Sequence, residues 1–156
     1  MKPMPERQIF LYVEDTENDV ALVRTAIAKG GLGIELKTVR DGEELICYLE
    51  GKEPFSDRAI NPIPTLVLLD LKMPKKDGFQ VLEWLRQQPH LKRVVVIVLT
   101  ASNRQEDVDR SHDLGANAVL VKPASLDELV DMLEQVTTWL ELTRQPHIDQ
   151  RRRKGS

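Results

Sequence analysis

Three stretches of this chain are apolar without interruption: Ile9-Phe10-Leu11-Tyr12-Val13, Leu66-Val67-Leu68-Leu69 and Val94-Val95-Val96-Ile97-Val98-Leu99. A strand with one wet face alternates polar and apolar residues, whereas short unbroken runs mark strands covered on both faces, as in a parallel sheet between two layers of helix. Weaker strand patterns lie at 34–39 and 118–121, and helical patterns over 17–29, 42–49, 78–87, 105–114 and 126–142 fill the intervals. A parallel neighbour requires a crossover, which a helix supplies. The order strand, helix, five times over, therefore predicts a doubly wound α/β domain with a five-stranded parallel sheet in a three-layer sandwich. One domain over residues 8–142 accounts for the periodic part of the 156 residues, and residues 143–156 form a C-terminal tail too short for an output domain.

The totals exclude several classes. No apolar run approaches the ~20 residues needed to cross a bilayer. The segment MKPMPERQ offers no signal peptide, and a single cysteine excludes an internal disulfide, so a soluble, cytoplasmic protein is expected. The net charge of −3 becomes −7 without the terminal run Arg151-Arg152-Arg153-Lys154, which argues against direct nucleic-acid binding and leaves the basic run as a solvated tail.

Ligands of open α/β sheets bind beyond the carboxyl ends of the strands. Here the first apolar run ends in Glu14-Asp15, the third strand in Asp70, the fourth in Thr100 and the fifth in Lys122. One aspartate after a strand is usually a cap or turn residue. Four strands that each end in a chemically capable side chain would converge on one rim. Three carboxylates gathered there repel, each pair by on the order of 4 kcal/mol at ~4 Å and an effective dielectric of 20. A hard divalent cation, Mg²⁺ above all, would compensate them, with Lys122 as a second, fixed positive charge. In such a pocket Asp70 could attack phosphorus as a nucleophile while Thr100 donates its hydroxyl to a phosphoryl oxygen.

Glu14-Asp15, Asp70 in LLDLKMPKKDG, Thr100-Ala101 in VLTAS and Lys122-Pro123 in VLVKPAS together resemble the receiver domain of two-component response regulators. The resemblance implies a CheY-like fold with sheet order 2-1-3-4-5, and Asp70 as acceptor of a phosphoryl group from a histidine kinase. It implies Mg²⁺ held by Glu14, Asp15, Asp70 and the backbone carbonyl of Lys72, and a cis bond before Pro123. The extended link before the third strand, the PHLKRVVVIVLTAS stretch and a Trp near the end of the last helix are similar to the single-domain regulators of cyanobacterial and bacterial phytochromes. That likeness implies a phytochrome kinase as donor and a homodimer through the fourth and fifth βα region. Such a protein is no enzyme beyond its own phosphorylation and dephosphorylation. One residue departs from the pattern: receivers often carry a switch aromatic three residues before the lysine, where this chain has the β-branched Val119.

The alternative chemistry is a Mg²⁺-dependent phosphatase of the haloacid dehalogenase type, which uses the same aspartyl phosphate but wants a second Asp two residues on, where Lys72 stands. A flavodoxin-like carrier is opposed by Glu14-Asp15, which would repel its phosphate. On the last helix, Leu126, Leu129, Leu133, Val136 and Leu140 form the core stripe. Met132 and Trp139 at its margin are candidate interface residues, and Leu142 points away. Cys47 and Trp84 read as core or half-buried, and His90, His112 and His147 as scattered surface residues without metal-ligand spacing. The proline-bearing link over 51–64 is longer than a helix-to-strand join needs, and serves either recognition or nothing in particular.

Overall fold

The computed structural model of the chain describes residues 7–72 and 77–143. Five strands, β1 (Gln8–Val13), β2 (Ile34–Val39), β3 (Leu66–Leu69), β4 (Val95–Thr100) and β5 (Ala118–Val121), form one parallel sheet in the order β2-β1-β3-β4-β5. Helices α1 (Glu17–Gly30), α2 (Gly42–Glu50), α3 (Gly78–Gln87), α4 (Gln105–Asp113) and α5 (Leu126–Leu142) make the crossovers. The unbroken apolar runs split between the two faces with the period of a strand. Phe10, Tyr12, Leu66, Leu68, Ile97 and Leu99 join the core under α1 and α5. Leu11, Val13, Val67, Leu69, Val96 and Val98 join the one under α2 and α3. Both faces are thus dry, as the absence of alternation requires.

Strand order reverses at β1, which pairs with β2 on one side and β3 on the other. Val13 lies opposite Leu69, and Leu69 opposite Val98, so β1, β3 and β4 reach the same rim in step. The residues that follow them inherit that level. Local signals stop and start the helices where the crossovers need it. Gly31 and Gly51 close α1 and α2 with positive φ, a conformation that costs glycine nothing. Asp41 and Ser125 cap α2 and α5 with side-chain oxygens, and Asp77 with Gln80 forms a capping box on α3.

The long link before β3 is tied down. The Arg58 guanidinium donates to the carbonyls of Tyr48 and Leu49 at the end of α2, at 2.8 and 3.0 Å, and to that of Asn61 within the link at 3.1 Å. Tyr48 Oη in turn donates to the Pro62 carbonyl at 2.8 Å. The cis peptide bond among the described residues precedes Pro54 and not Pro123, contrary to expectation. The isomers before proline differ by only about 0.5–1 kcal/mol, so the surrounding structure and not the dipeptide decides between them. His90 also departs from its expected surface placement: it is half-buried beside the fully buried Leu91, with Nδ1 shielded and unpartnered. His112 is exposed, and His147 lies outside the described residues, as does the basic run. Trp84 and Cys47 are half-buried and Leu142 is exposed, as expected.

Candidate functional site

Glu14 and Asp70 extend β1 and β3 by one residue, and their backbone N–H groups continue the ladder by donating to Val39 and Val13. Lys122 does the same from β5, donating to the carbonyl of Thr100. Strand pairing therefore delivers these side chains to one place. Carboxylate oxygens of Glu14, Asp15 and Asp70 all lie within 4.8 Å of one another. Glu14 and Asp70 are buried, at 3% and 7% exposure, while Asp15 stands open to solvent.

The Lys122 ammonium sits among the acids. Nζ donates to Glu14 Oε2 at 2.8 Å and Asp19 Oδ2 at 2.8 Å, and lies 3.4 Å from Asp70 Oδ2. Glu14 is fixed further by Tyr12 Oη, which donates to Oε2 at 3.2 Å, and by the Thr16 N–H on Oε1 at 3.2 Å. On Asp70, the Lys72 N–H donates to Oδ1 at 3.2 Å. Asp19 and Tyr12 were not singled out from the sequence. Tyr12 lies two residues before Glu14 on the same face of the strand, a spacing available as a signal; Asp19 lies in the first turn of α1, where no spacing marked it.

The Lys122 ammonium serves three carboxylates, with Asp15 close by, and the ionisation of the group reflects the shortfall. Burial raises the Asp70 carboxyl well above the ordinary range, and its contact with Glu14 raises it further, against the opposing pull of Lys122 and the Lys72 N–H. For Glu14, burial also pushes upward, but the hydrogen bond from Lys122 and the contact with Asp70 win and hold it low. Burial would lower Lys122; its hydrogen bonds to Asp19 and Glu14 outweigh that and keep it protonated. A set of oxygen donors with surplus negative charge, one member of which resists ionisation, fits a hard divalent cation held by Glu14, Asp15 and Asp70.

A cleft of about 560 Å³ opens beside the cluster, lined by Asp15, Lys72, Phe79, Ser102 and Arg104 among others. Thr100 ends β4 almost fully buried, and its Oγ1 accepts from the Ser102 N–H at 3.1 Å. Val119 is half-buried against the core beneath α2 and α3. Met132 is half-buried and Trp139 is 42% exposed, both away from the acidic rim.

The glycine of the KDG triplet is needed here. A Cβ on Gly78 would lie 2.6 Å from the Asp70 carbonyl oxygen and 2.8 Å from the Leu71 Cα, both backbone atoms that cannot swing aside. Gly78→Ala is expected to cost about 1–3 kcal/mol through overpacking and to displace the Asp70 peptide. Thermal unfolding and the amide resonances of Asp70 and Lys72 report it; an unaltered melting temperature with unshifted resonances would contradict it.

Comparison with known proteins accords with this geometry. Residues 10–134 match the response regulator receiver domain family. Response regulator Rcp1 of Synechocystis is 36% identical over 140 residues, covering 89% of this chain and 93% of Rcp1. The crystal structure of its Mn²⁺-bound form aligns with a TM-score of 0.76, over 90% of this chain and 99% of that one. Response regulator RPA3017, of red light signaling in R. palustris, aligns at TM-score 0.85 and 33% identity, over 90% of this chain and 99% of its own. The phosphorylated cyanobacterial phytochrome response regulator RcpA aligns at 0.79 and 36%, over 92% of this chain and 100% of its own. These matches leave the phosphatase alternative without support. By its sheet order, by the acidic group at the switch point and by a family match across most of its length, the chain belongs to the response regulator receiver domain family.

Proposed function

We propose that this chain is a phosphoryl-accepting signalling module in which Asp70 is the acceptor, residues 8–142 form the receiver unit, and a histidine kinase is the donor. The observation that carries this reading is the Lys122 ammonium lying between Glu14 and Asp70, since one cation bridging two strand tips defines a pocket for negative charge. An Asp70 carboxylate oxygen forms a bond to the phosphorus of the kinase phosphohistidine. The P–N bond breaks, its electron pair stays on the imidazole, and an acyl phosphate remains. Lys122 then balances charge on the transferred group, and Thr100 donates its hydroxyl to a phosphoryl oxygen. Mg²⁺, when bound by Glu14, Asp15, Asp70 and the Lys72 carbonyl, supplies the further positive charge that phosphoryl oxygens require. Water later cleaves the acyl phosphate and restores the carboxylate, so the protein's chemistry is confined to its own phosphorylation and dephosphorylation.

Relatives named for phytochrome and red-light signalling favour a phytochrome as the kinase, and hence the cytoplasm, where ATP-dependent kinases work. No described helix is long and apolar enough to cross a membrane. The test is direct. Incubation with acetyl phosphate and Mg²⁺ should add a single phosphoryl group by intact mass, and EDTA should prevent it; labelling that ignores EDTA would remove the metal from the reading.

The same reading pairs two copies through the fourth and fifth βα region, which includes β5 and α5. Trp139 is exposed, and Met132 and Trp139 line a groove of about 560 Å³ between β5 and α5. Aromatic and Met side chains at the rim of an edge strand suit an interface core. Sedimentation over a range of concentrations should show self-association that Trp139→Ala weakens on the order of tenfold or more, as expected of a central aromatic anchor. A monomer at every concentration, phosphorylated or not, would remove the dimer.

A further inference from the structure

Glu14 is reached from the core by a phenol that the phosphoryl chemistry does not use. Tyr12 sits in β1, the strand at which the sheet order reverses, opposite Thr38 on β2 and Leu68 on β3. Its side chain is 1% exposed and belongs to the core under α1 and α5 with Phe10, Leu68 and Leu99. A ring packed that closely fixes where its hydroxyl points. Two places along the strand from Glu14 it shares that residue's face, and Tyr12 Oη donates to Glu14 Oε2 at 3.2 Å. A buried phenol usually finds such a partner, so the contact by itself is ordinary. Its effect on the lone pairs of Glu14 is more specific.

An ionised carboxylate offers about four lone-pair sites. On Oε2, Tyr12 takes one and the Lys122 ammonium another. On Oε1, the Thr16 N–H takes a third. Among the described residues one site then remains, on Oε1, for a cation shared with Asp15 and Asp70. Binding through both oxygens of Glu14 would displace Tyr12 or Lys122 from Oε2. Cations differ in how much they want that second oxygen. Ca²⁺ takes about 6–8 oxygens in flexible arrangements and often grips a carboxylate by both, whereas Mg²⁺ demands a near-octahedral set with few carboxylates and several waters. A ligand held to one oxygen by fixed outer donors therefore suits Mg²⁺.

We infer that Tyr12 determines cation specificity at this site: its hydroxyl, together with Lys122, occupies Glu14 Oε2, confines that ligand to a single oxygen and favours Mg²⁺ over Ca²⁺. This rests on the cation of the functional reading, and the experiment separates the two. Wild type, Tyr12→Phe and Tyr48→Phe are stripped with EDTA, freed of the chelator, and titrated calorimetrically with Mg²⁺ and with Ca²⁺; thermal unfolding of each accompanies the titrations. Tyr48 is the matched control, an equally buried phenol whose Oη donates to the Pro62 carbonyl at 2.8 Å instead of to an acid. Loss of an outer donor costs on the order of 10–100-fold in metal affinity, so Tyr12→Phe should weaken Mg²⁺ binding on the order of tenfold or more. Its Ca²⁺ affinity should hold or rise, so that the preference for Mg²⁺ falls at least as far, while Tyr48→Phe keeps the wild-type preference. An unchanged preference in Tyr12→Phe, whether both affinities fall together or neither moves, overturns the inference alone. So does an equal fall in Tyr48→Phe. A Tyr12→Phe chain too unstable to titrate assigns the hydroxyl to folding and overturns it as well. Wild type that takes up no Mg²⁺ at millimolar concentration overturns the cation of the functional reading and the inference together.

Discussion

Asp70→Asn should take up no phosphoryl group from acetyl phosphate and Mg²⁺ under conditions that label the wild type fully. The amide has the shape of the carboxylate but lacks its nucleophilic oxygen pair, so the reaction is lost without disturbing the packing around Leu68, Leu69 and Leu71, all buried. Glu14 and Asp15 remain, yet neither substitutes: Glu14 is committed to Lys122, Tyr12 and the Thr16 N–H, and Asp15 lies in the open. The variant should also be no less stable than wild type when metal is chelated. Asp70 is a buried carboxylate whose burial and contact with Glu14 disfavour its charge, so removing that charge relieves repulsion. Intact mass and thermal unfolding in EDTA make the pair of measurements. Residual labelling of Asp70→Asn would move the acceptor to another carboxylate, and a large loss of stability would mean that the missing label reported unfolding instead of chemistry.

Lys122→Met should have the largest effect on stability of any substitution in the site. Methionine fills much of the same volume, but Glu14 then keeps its burial and loses its cation, a situation that costs about 3–5 kcal/mol. The pH dependence follows from the directions of the shifts. In wild type Glu14 is held below its ordinary value, so its contribution to stability is present above the unfolded carboxylate range and is lost as pH falls through the folded value. Without Lys122, burial dominates and raises Glu14 instead, so its charged form opposes folding as pH rises. The gap between variant and wild type should therefore be wide at neutral pH and narrow on acidification through the carboxylate range. Denaturant unfolding in EDTA at both ends of that range tests this; a gap independent of pH would show that lost packing, not unpaired charge, sets the cost. Phosphoryl uptake should slow on the order of 100-fold or more, the size seen when one charge-stabilising donor is removed from a reaction site.

Some of this protein was legible residue by residue. Unbroken apolar runs announced strands buried on both faces, because both rows of a strand's side chains must then meet helices, and Leu66–Leu69 does so in two separate cores. Glu14, Asp15, Asp70, Thr100 and Lys122 could be picked out because each follows or ends its strand, and parallel strands in step bring their ends to one rim. Other features depended on distance in space. Asp19 reaches Lys122 across 103 residues, a partner outside the set of strand-end residues. That pair exists only after α1 has packed against the sheet that carries β5. The shielding of His90 Nδ1, beside the buried Leu91, likewise came only with packing. Hence the order of residues determined which side chains could do chemistry and at which end of the sheet. Only the folded arrangement decided how many acids share the one ammonium. Local preference acts along the backbone, whereas hydrogen bonds between loops and helices depend on where the whole core has placed them.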